Sequence, residues 1–527
     1  MGARLKRWLF LVHRWLGIGI CLLFAMWFVS GMVMMYVGYP KLTEQERLAH
    51  LPPLEADARL LAPARALAAA GVAGPLDELR LAASSGGRPV YVATPARGDA
   101  AAGHKRPSKG NGAVVIDAVS GQRLRTVDEA HAMATAAAFS GSGVKRDYLG
   151  TIDEDAFTHS RALDPHRPLH KVQLGDAERT LLYISSRSGE VVRDATRSEQ
   201  LWNYAGAWIH WLYPLRGNAF QPYWTDIVNW LSILGIAMAL SGTVVGILRW
   251  RFRKPYRSGA RTPYPQAMMR WHHVTGLLFA LVTITWIFSG LMSMNPWRIF
   301  DTGAPPLRME ALQGSALALT DADATPQALL AASAGAVREL RWTRVLGENR
   351  VLAQASGGAP RVIGSRDGHP VDLDAAALRA AAAGLLPAPV ARIEQLRDYD
   401  LYYYARDAHT MMGGGVKPLP ILRIVFDDPH ATWVHLDPHT GAVLGRLDRG
   451  KRTSRWLFAM LHSWDWLPLL ERRPLWDLVL IALSLGGILL SVTGVAIGWR
   501  RLGRALGRGQ RAASIAPRRA MSTGLTR

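Results

Sequence analysis

The sequence predicts a membrane α-helical protein, with four transmembrane helices from an internal duplication and two large α+β segments between them. Three observations carry this. Four apolar runs, roughly Trp15–Val37, Ile227–Leu248, Val274–Met294 and Leu478–Trp499, are each 21–23 residues long. A helix needs about 20 residues to cross a hydrocarbon core about 30 Å thick. Basic charge gathers beside those runs, and the chain repeats itself in two registers.

The repeat defines the elements. HRWLGIGICLLFAMWFVSGM at 13–32 returns as HHVTGLLFALVTITWIFSGL at 272–291. At this offset of 259, His13 falls on His272, Gly17 on Gly276, Trp27 on Trp286, and Ser30-Gly31 on Ser289-Gly290. A second register, offset 252, aligns Pro168–Gly246 with Pro420–Gly498 without a gap. It pairs Gly189 with Gly441, His210 with His462, Trp224 with Trp476, Gly242 with Gly494, and Gly246 with Gly498. Each half is an apolar helix, a long polar segment, a histidine in an aromatic stretch, and a second apolar helix.

The net charge of +21 invites a nucleic-acid reading, but its distribution argues against one. Arg4, Lys6, Arg7 and Arg14 precede any acid, the first acid being Glu44. Seven Lys/Arg and no acid lie between Arg249 and Arg270, and eight Arg and no acid follow Trp499. These three clusters account for 19 of the 21 charges, which is the positive-inside pattern of a multi-pass membrane protein. Both termini and the central loop are then cytoplasmic, and the two long segments lie on the far side, the periplasm of a bacterium. The first run is too long for a typical signal-peptide core and has no small-x-small site after it, so it reads as a retained anchor.

The division that follows is a cytoplasmic tail and first helix (1–39), a far-side segment (40–199), a histidine-bearing interfacial stretch with the second helix (200–250), and a basic cytoplasmic loop (251–273). A third helix (274–295), a second far-side segment (296–451), a second histidine-bearing stretch with the fourth helix (452–499) and a basic tail (500–527) complete it. The single cysteine, Cys21, lies within the first span and reads as a small buried apolar residue. One cysteine makes no disulfide or thiolate cluster, and no CxxCH is present for covalent haem attachment.

The polar segments carry a recurring hairpin. Asp117 to Gly121, Ser185 to Gly189, Gly364 to Gly368 and Asp437 to Gly441 each place glycine four residues after the first residue of a turn between β-prone runs. A glycine there suits a positive φ. Helix-like stretches at 54–70, 127–139, 325–334 and 373–386 precede these hairpins. Four small α+β units are therefore expected, near 54–126, 127–196, 320–371 and 372–448. Gly98–Gly112 reads as a polar loop.

On these residues the chain resembles a known family. The hairpins look like the PepSY domain. The H-x-x-x-G helices with W-x-x-S-G, and the Leu461-His462 segment, resemble the PepSY-associated transmembrane family. The resemblance implies an inner-membrane protein, some members being ferrisiderophore reductases that carry b-type haem.

The histidines point the same way without the family. A duplicated chain with both halves in one orientation has a pseudo-twofold axis along the membrane normal. His13 and His272 form one pair at the cytoplasmic edge, and His210 and His462 a second pair toward the far side. A six-coordinate haem iron takes two axial ligands, and neutral imidazole is a common one. Two haems b are therefore expected. His273 adjoins His272 and stands as its alternative. The glycines at 17, 31, 242, 276, 290 and 494 have two readings, close helix packing or room for a flat macrocycle.

His159, His166, His170, His409, His430, His435 and His439 lie in the polar segments with Tyr402–Tyr404 and Met411-Met412. They read as solvated loop residues rather than a separate metal site. No charged residue stands in the middle of any span, which weighs against a transporter. No strand–GxGxxG–helix unit is present, Gly413–Gly415 being in loop context, so there is no visible nicotinamide or flavin domain. The expected function is transmembrane electron transfer. The donor would be a quinol or a cytoplasmic reductase, and the acceptor periplasmic, a ferric siderophore being what the resemblance implies. The alternative is a non-enzymatic, membrane-anchored PepSY protein that binds or regulates a partner.

Overall fold

The computed structural model describes residues 2–96, 113–333, 335–406 and 417–515, with backbone alone for 505–515. The expected loop at Gly98–Gly112, together with His409, Met411-Met412 and Gly413–Gly415, lies outside the described residues. The chain forms two compact units: residues 1–36, 205–298 and 454–527, and residues 37–204 with 299–453.

The first unit contains three helices long and apolar enough to cross a membrane, Ala3–Met34, Gln221–Arg249 and Leu475–Arg504. The remaining expected span, Val274–Met294, is not one straight helix. It consists of Ala267–Leu278 and Ala280–Ser293, bent by 66°. Phe279 at the break leaves helical values, with φ −102° and ψ 11°. Its ring presses onto the backbone of Gly486, where a Cβ would collide with it. Phe28 seats on Gly487 in the same manner. Ile20, Cys21, Phe24, Phe28 and Met238 form the buried core of the unit, with Trp27 and Trp286 packed against it. Cys21 is a buried apolar filler, as expected.

The second unit is α+β with antiparallel sheets. Its strands are β1 (Leu76–Ser85), β2 (Arg88–Pro95), β3 (Val114–Asp117), β4 (Arg146–Ile152), β5 (Leu169–Leu174), β6 (Leu181–Ser185) and β7 (Val191–Ala195). The second polar segment adds β8 (Glu339–Val345), β9 (Glu348–Gln354), β10 (Arg361–Gly364), β11 (Val390–Leu396), β12 (Ile421–Phe426), β13 (Trp433–Leu436) and β14 (Val443–Leu447). β4–β7 and β11–β14 each form a four-stranded sheet in sequential order. The helices Glu129–Ser140 and Ala375–Ala383 supply Ala132, Ala136, Leu378 and Ala382 to the cores of these sheets.

The other strands do not make two separate sheets. They join in one six-stranded sheet ordered β10-β9-β8-β1-β2-β3, with β1 antiparallel to β8. The two polar segments thus share a core, in which Tyr91 and Trp342 are fully buried. At the seam Glu339 pairs with Ala82 across the strands and has no exposed surface. Its carboxylate accepts from Arg47 at 2.7 Å, Arg341 at 2.9 Å and Arg80 at 3.4 Å. A buried carboxylate is tolerable only with such partners. The helix expected over 54–70 is shorter, Pro63–Ala69, since Leu54 and Leu61 donate to the Val337 and Ala118 carbonyls and the chain between them turns at Ala56–Ala58.

The four turn glycines have nearly one conformation: φ is 73° at Gly121, 71° at Gly189, 69° at Gly368 and 71° at Gly441. Each donates its N–H to the carbonyl of the residue four back, at 2.9, 2.8, 3.0 and 2.9 Å in that order.

Three histidines expected in solvated loops are buried instead. His170 donates Nε2–H to the Val127 carbonyl at 3.0 Å and accepts from Tyr148 at 2.8 Å. His159 pairs with Glu154. His435 Nε2 accepts from Arg423 Nε at 2.9 Å, while Arg423 makes a bidentate pair with Asp400. Tyrosine and arginine partners compensate these rings for lost water, which hydropathy alone does not reveal. Only His439 among the remaining described ones is exposed.

Two outcomes follow. Gly441→Ala should destabilise more than Gly71→Ala in thermal unfolding of the full chain. Both force a left-handed residue, a cost of about 1–2 kcal/mol. Only at Gly441 does the added Cβ also meet Val345, at 2.5 Å, whereas Gly71 faces open space. The second concerns pH. Burial, with Arg423 alongside, pushes the His435 imidazole down to about 4. Above pH about 6.5 both folded and unfolded forms are neutral there. As pH falls below that, the unfolded chain takes up a proton that the fold refuses, so stability drops by about 2 kcal/mol by pH 5. His435→Gln should show a shallower loss between pH 7 and 5; an unchanged slope would contradict this.

Candidate functional site

The site lies in the helical unit and is built from two histidine pairs. His13 and His272 face each other with ring centroids 6.3 Å apart, and His210 and His462 with centroids 6.2 Å apart. All four rings predicted from the repeat are thus brought together in the two pairings expected.

In each ring, Nδ1 is held by a neighbouring helix. His13 Nδ1 donates to the Met238 carbonyl at 3.2 Å, and His272 Nδ1 to the Leu490 carbonyl at 3.2 Å, with Thr493 Oγ1 also at 3.2 Å. Met238 and Leu490 share the 252 register. A carbonyl only accepts, so Nδ1 carries the proton in both rings and Nε2 carries the lone pair. His210 and His462 use serines instead. Ser30 Oγ lies 2.9 Å from His210 Nδ1 and Ser289 Oγ 3.0 Å from His462 Nδ1. Each serine commits its only hydrogen to its own helix, Ser30 to Met26 at 2.7 Å and Ser289 to Trp286 at 3.0 Å. The serine oxygens therefore accept from Nδ1–H, and the same tautomer results.

Glycines set the rings in place. A Cβ at Gly242 would stand 2.5 Å from His13 Cε1, and one at Gly494 3.3 Å from His272 Cε1. Gly31 and Gly290 lie against His210 and His462, each with the corresponding distance 3.7 Å. Gly17 and Gly276 follow their histidines by four residues, on the same helical face, and line a cavity of about 350 Å³ that also holds His13 and His272. This is within the range of pockets for prosthetic groups, about 300–1,000 Å³.

The segments carrying His210 and His462 are also built alike. Each histidine follows a π-helical turn, Tyr204–Trp208 and Trp456–Met460. A tryptophan at the start of the next helix donates to the residue after each histidine: Trp224 to the Trp211 carbonyl at 2.9 Å, Trp476 to the Ser463 carbonyl at 3.0 Å. Trp27 adds a bond to the His210 carbonyl at 2.9 Å. The sequence contained Ser30, Ser289, Trp224 and Trp476 as repeat matches but gave no sign of their hydrogen bonds. Met238 and Leu490 act through backbone carbonyls, which no side-chain pattern discloses.

His273 is placed differently. Nδ1 lies 2.7 Å from Thr262 Oγ1 and Nε2 2.9 Å from the Gly246 carbonyl. The ring is buried edge-on against Trp250 and Tyr264. Both of its nitrogens are used in tying the 251–266 loop to the helix ends.

Two imidazoles per site are too few for a bare ion, since protein-bound zinc takes three or four protein ligands. Among the described residues no three His, Cys, Asp or Glu converge in a way that holds a metal ion. A pair does suit an iron whose four equatorial positions a macrocycle fills. Metal–nitrogen bonds of about 2.0 Å from one metal to both rings put the centroids about 6 Å apart, as found in both pairs. The donor set and tautomers of both pairs, and the cavity at His13 and His272, fit haem.

Apolar helices, paired antiparallel α+β units and histidines at the helix crossings define a membrane protein of PepSY type. A family model described as the PepSY-associated TM region matches residues 10–359, and the chain belongs to that family. No curated protein matches the chain.

Proposed function

We propose that this chain is a multi-pass protein of the bacterial inner membrane that carries two haems b and passes electrons across the bilayer. The observation that carries the reading is the matched pair of pairs: four histidines in two facing pairs, each with Nδ1–H donated to the protein. His13 and His272 would hold one haem, and His210 and His462 the other. The bent pair of helices at Ala267–Ser293 counts as the fourth span, and the two halves are a duplication with both termini cytoplasmic.

When bound, haem supplies a one-electron ferric/ferrous couple. The protein's part is to fix the rings, exclude water and set the spacing. Met238, Leu490, Ser30 and Ser289 orient the imidazoles and raise their basicity as outer-shell partners do. His13 and Ser30 are 17 residues apart on one helix, so the two pairs are about 25 Å apart along it, close to the thickness of the hydrocarbon core. Phe24, Trp27, Phe28 and Trp286 fill the interval; Phe28 and Trp286 are 5.7 Å apart and Phe24 and Trp27 6.0 Å. Electrons would enter at the basic side from a quinol or a cytoplasmic reductase. They would leave at the other to a periplasmic acceptor, ferric iron in a siderophore being the class that the resemblance implies.

The test is haem content by pyridine haemochrome in histidine variants purified in detergent. His272→Ala and His462→Ala should each lose about half of the haem. His273→Ala should keep it while lowering thermal stability, because only its hydrogen bonds are lost. Full retention in His13→Ala, His272→Ala, His210→Ala and His462→Ala alike would refute the assignment. A haem-free wild type, from cells replete in haem, would leave the anchored binding protein as the better account.

A further inference from the structure

The cavity beside His13 and His272 is apolar along its walls but has three guanidinium groups on its lining: Arg14, Arg249 and Arg501. Two of them are repeat mates, since Arg249 and Arg501 are related by the 252 offset that also relates Met238 to Leu490 and Gly242 to Gly494. Each arginine follows its glycine by seven residues. Seven residues are close to two helical turns, so glycine and arginine share a face, about 10 Å apart along the axis. The face that receives a histidine ring at Gly242 or Gly494 thus presents an arginine two turns further toward the basic end. Arg14 adds a third donor: its Nε is buried and has no hydrogen-bond partner among the described residues.

We propose that Arg249 and Arg501 receive the two propionate carboxylates of the haem bound between His13 and His272, one from each half of the repeat. The inference rests on the haem reading above and adds its orientation. Haem b has two carboxylates, side by side on one edge of the macrocycle. With that edge turned to the basic end, each carboxylate would meet one arginine, the two arginines being repeat mates at equal depth. An arginine matches a carboxylate with two parallel hydrogen bonds and keeps its charge at any working pH. Ionised carboxylates in an apolar cavity need such partners. The opposite orientation would put both acids against Phe24, Ala280 and Thr283, an end of the lining with no cationic side chain. Topology alone also places arginines at cytoplasmic helix ends, so the test includes Arg500, which is at the same end but is not part of the lining.

The experiment is a spectroelectrochemical titration of the full chain, comparing wild type, Arg249→Gln/Arg501→Gln, Arg249→Lys/Arg501→Lys and Arg500→Gln. Removing two positive charges favours the ferric form. One of the two couples should move down by about tenfold in its equilibrium, about 59 mV for one electron. It should also become pH-dependent between 6 and 8, as unpaired propionates take up protons, while the second couple stays put. Arg500→Gln should titrate as wild type. If the Gln pair instead loses one haem, the Lys pair should restore it. A Gln pair with full haem and wild-type potentials, a loss that the Lys pair does not restore, or an equal shift in Arg500→Gln would each overturn the proposal. A wild type without haem would overturn the parent reading itself, and is told apart by its lack of a Soret band.

Discussion

The arrangement depends on one hydrogen bond made four times, from a histidine Nδ1–H to an acceptor on a neighbouring helix. At His13 and His272 the acceptor is a backbone carbonyl, and at His210 and His462 a serine oxygen whose own hydrogen is already used. Each bond fixes a tautomer, a ring plane and a helix separation together. It brings with it a glycine wherever a ring must lie on a neighbouring backbone, and tryptophan clamps wherever the histidine sits on a segment outside the long helices. Rings held in this way have their tautomer and plane set by the protein alone, which is the physical content of a preorganised site.

How much of this was legible in the sequence depended on which groups carried the interaction. The histidine pairing was readable, because a duplication places equivalent side chains at equal depth. Between His272 and His273, register and spacing favour the first while chemistry allows either. The structure separates them physically: His272 faces His13, and His273 spends both nitrogens on Thr262 and Gly246. The break at Phe279 was not readable. No proline marks it, and Gly486, on which the Phe279 ring seats, is 207 residues away.

The polar segments give the same lesson. Turn glycines 121, 189, 368 and 441 were legible because positive φ has a strong residue preference. The antiparallel seam of β1 with β8 was not, since a strand's partner is set by long-range register rather than by its own pattern. Its mark in the sequence is Glu339, a carboxylate in a β-prone run; of its three arginine partners only Arg341 is a sequence neighbour, while Arg47 and Arg80 come from the other polar segment. The burial of His170 and His435 is not legible either, their compensation by Tyr148 and Arg423 being tertiary. Both segments are needed to complete this core, which ties the two halves of the chain into one folding problem.

The central claim is that each histidine pair ligates one haem iron through Nε2. The most direct measurement is low-temperature electron paramagnetic resonance of the oxidised, detergent-purified chain, with the optical spectrum recorded before and after dithionite. The account predicts two low-spin ferric species with bis-imidazole character, and sharp α and β bands on reduction. A high-spin signal, or a protein with no Soret band, would contradict it.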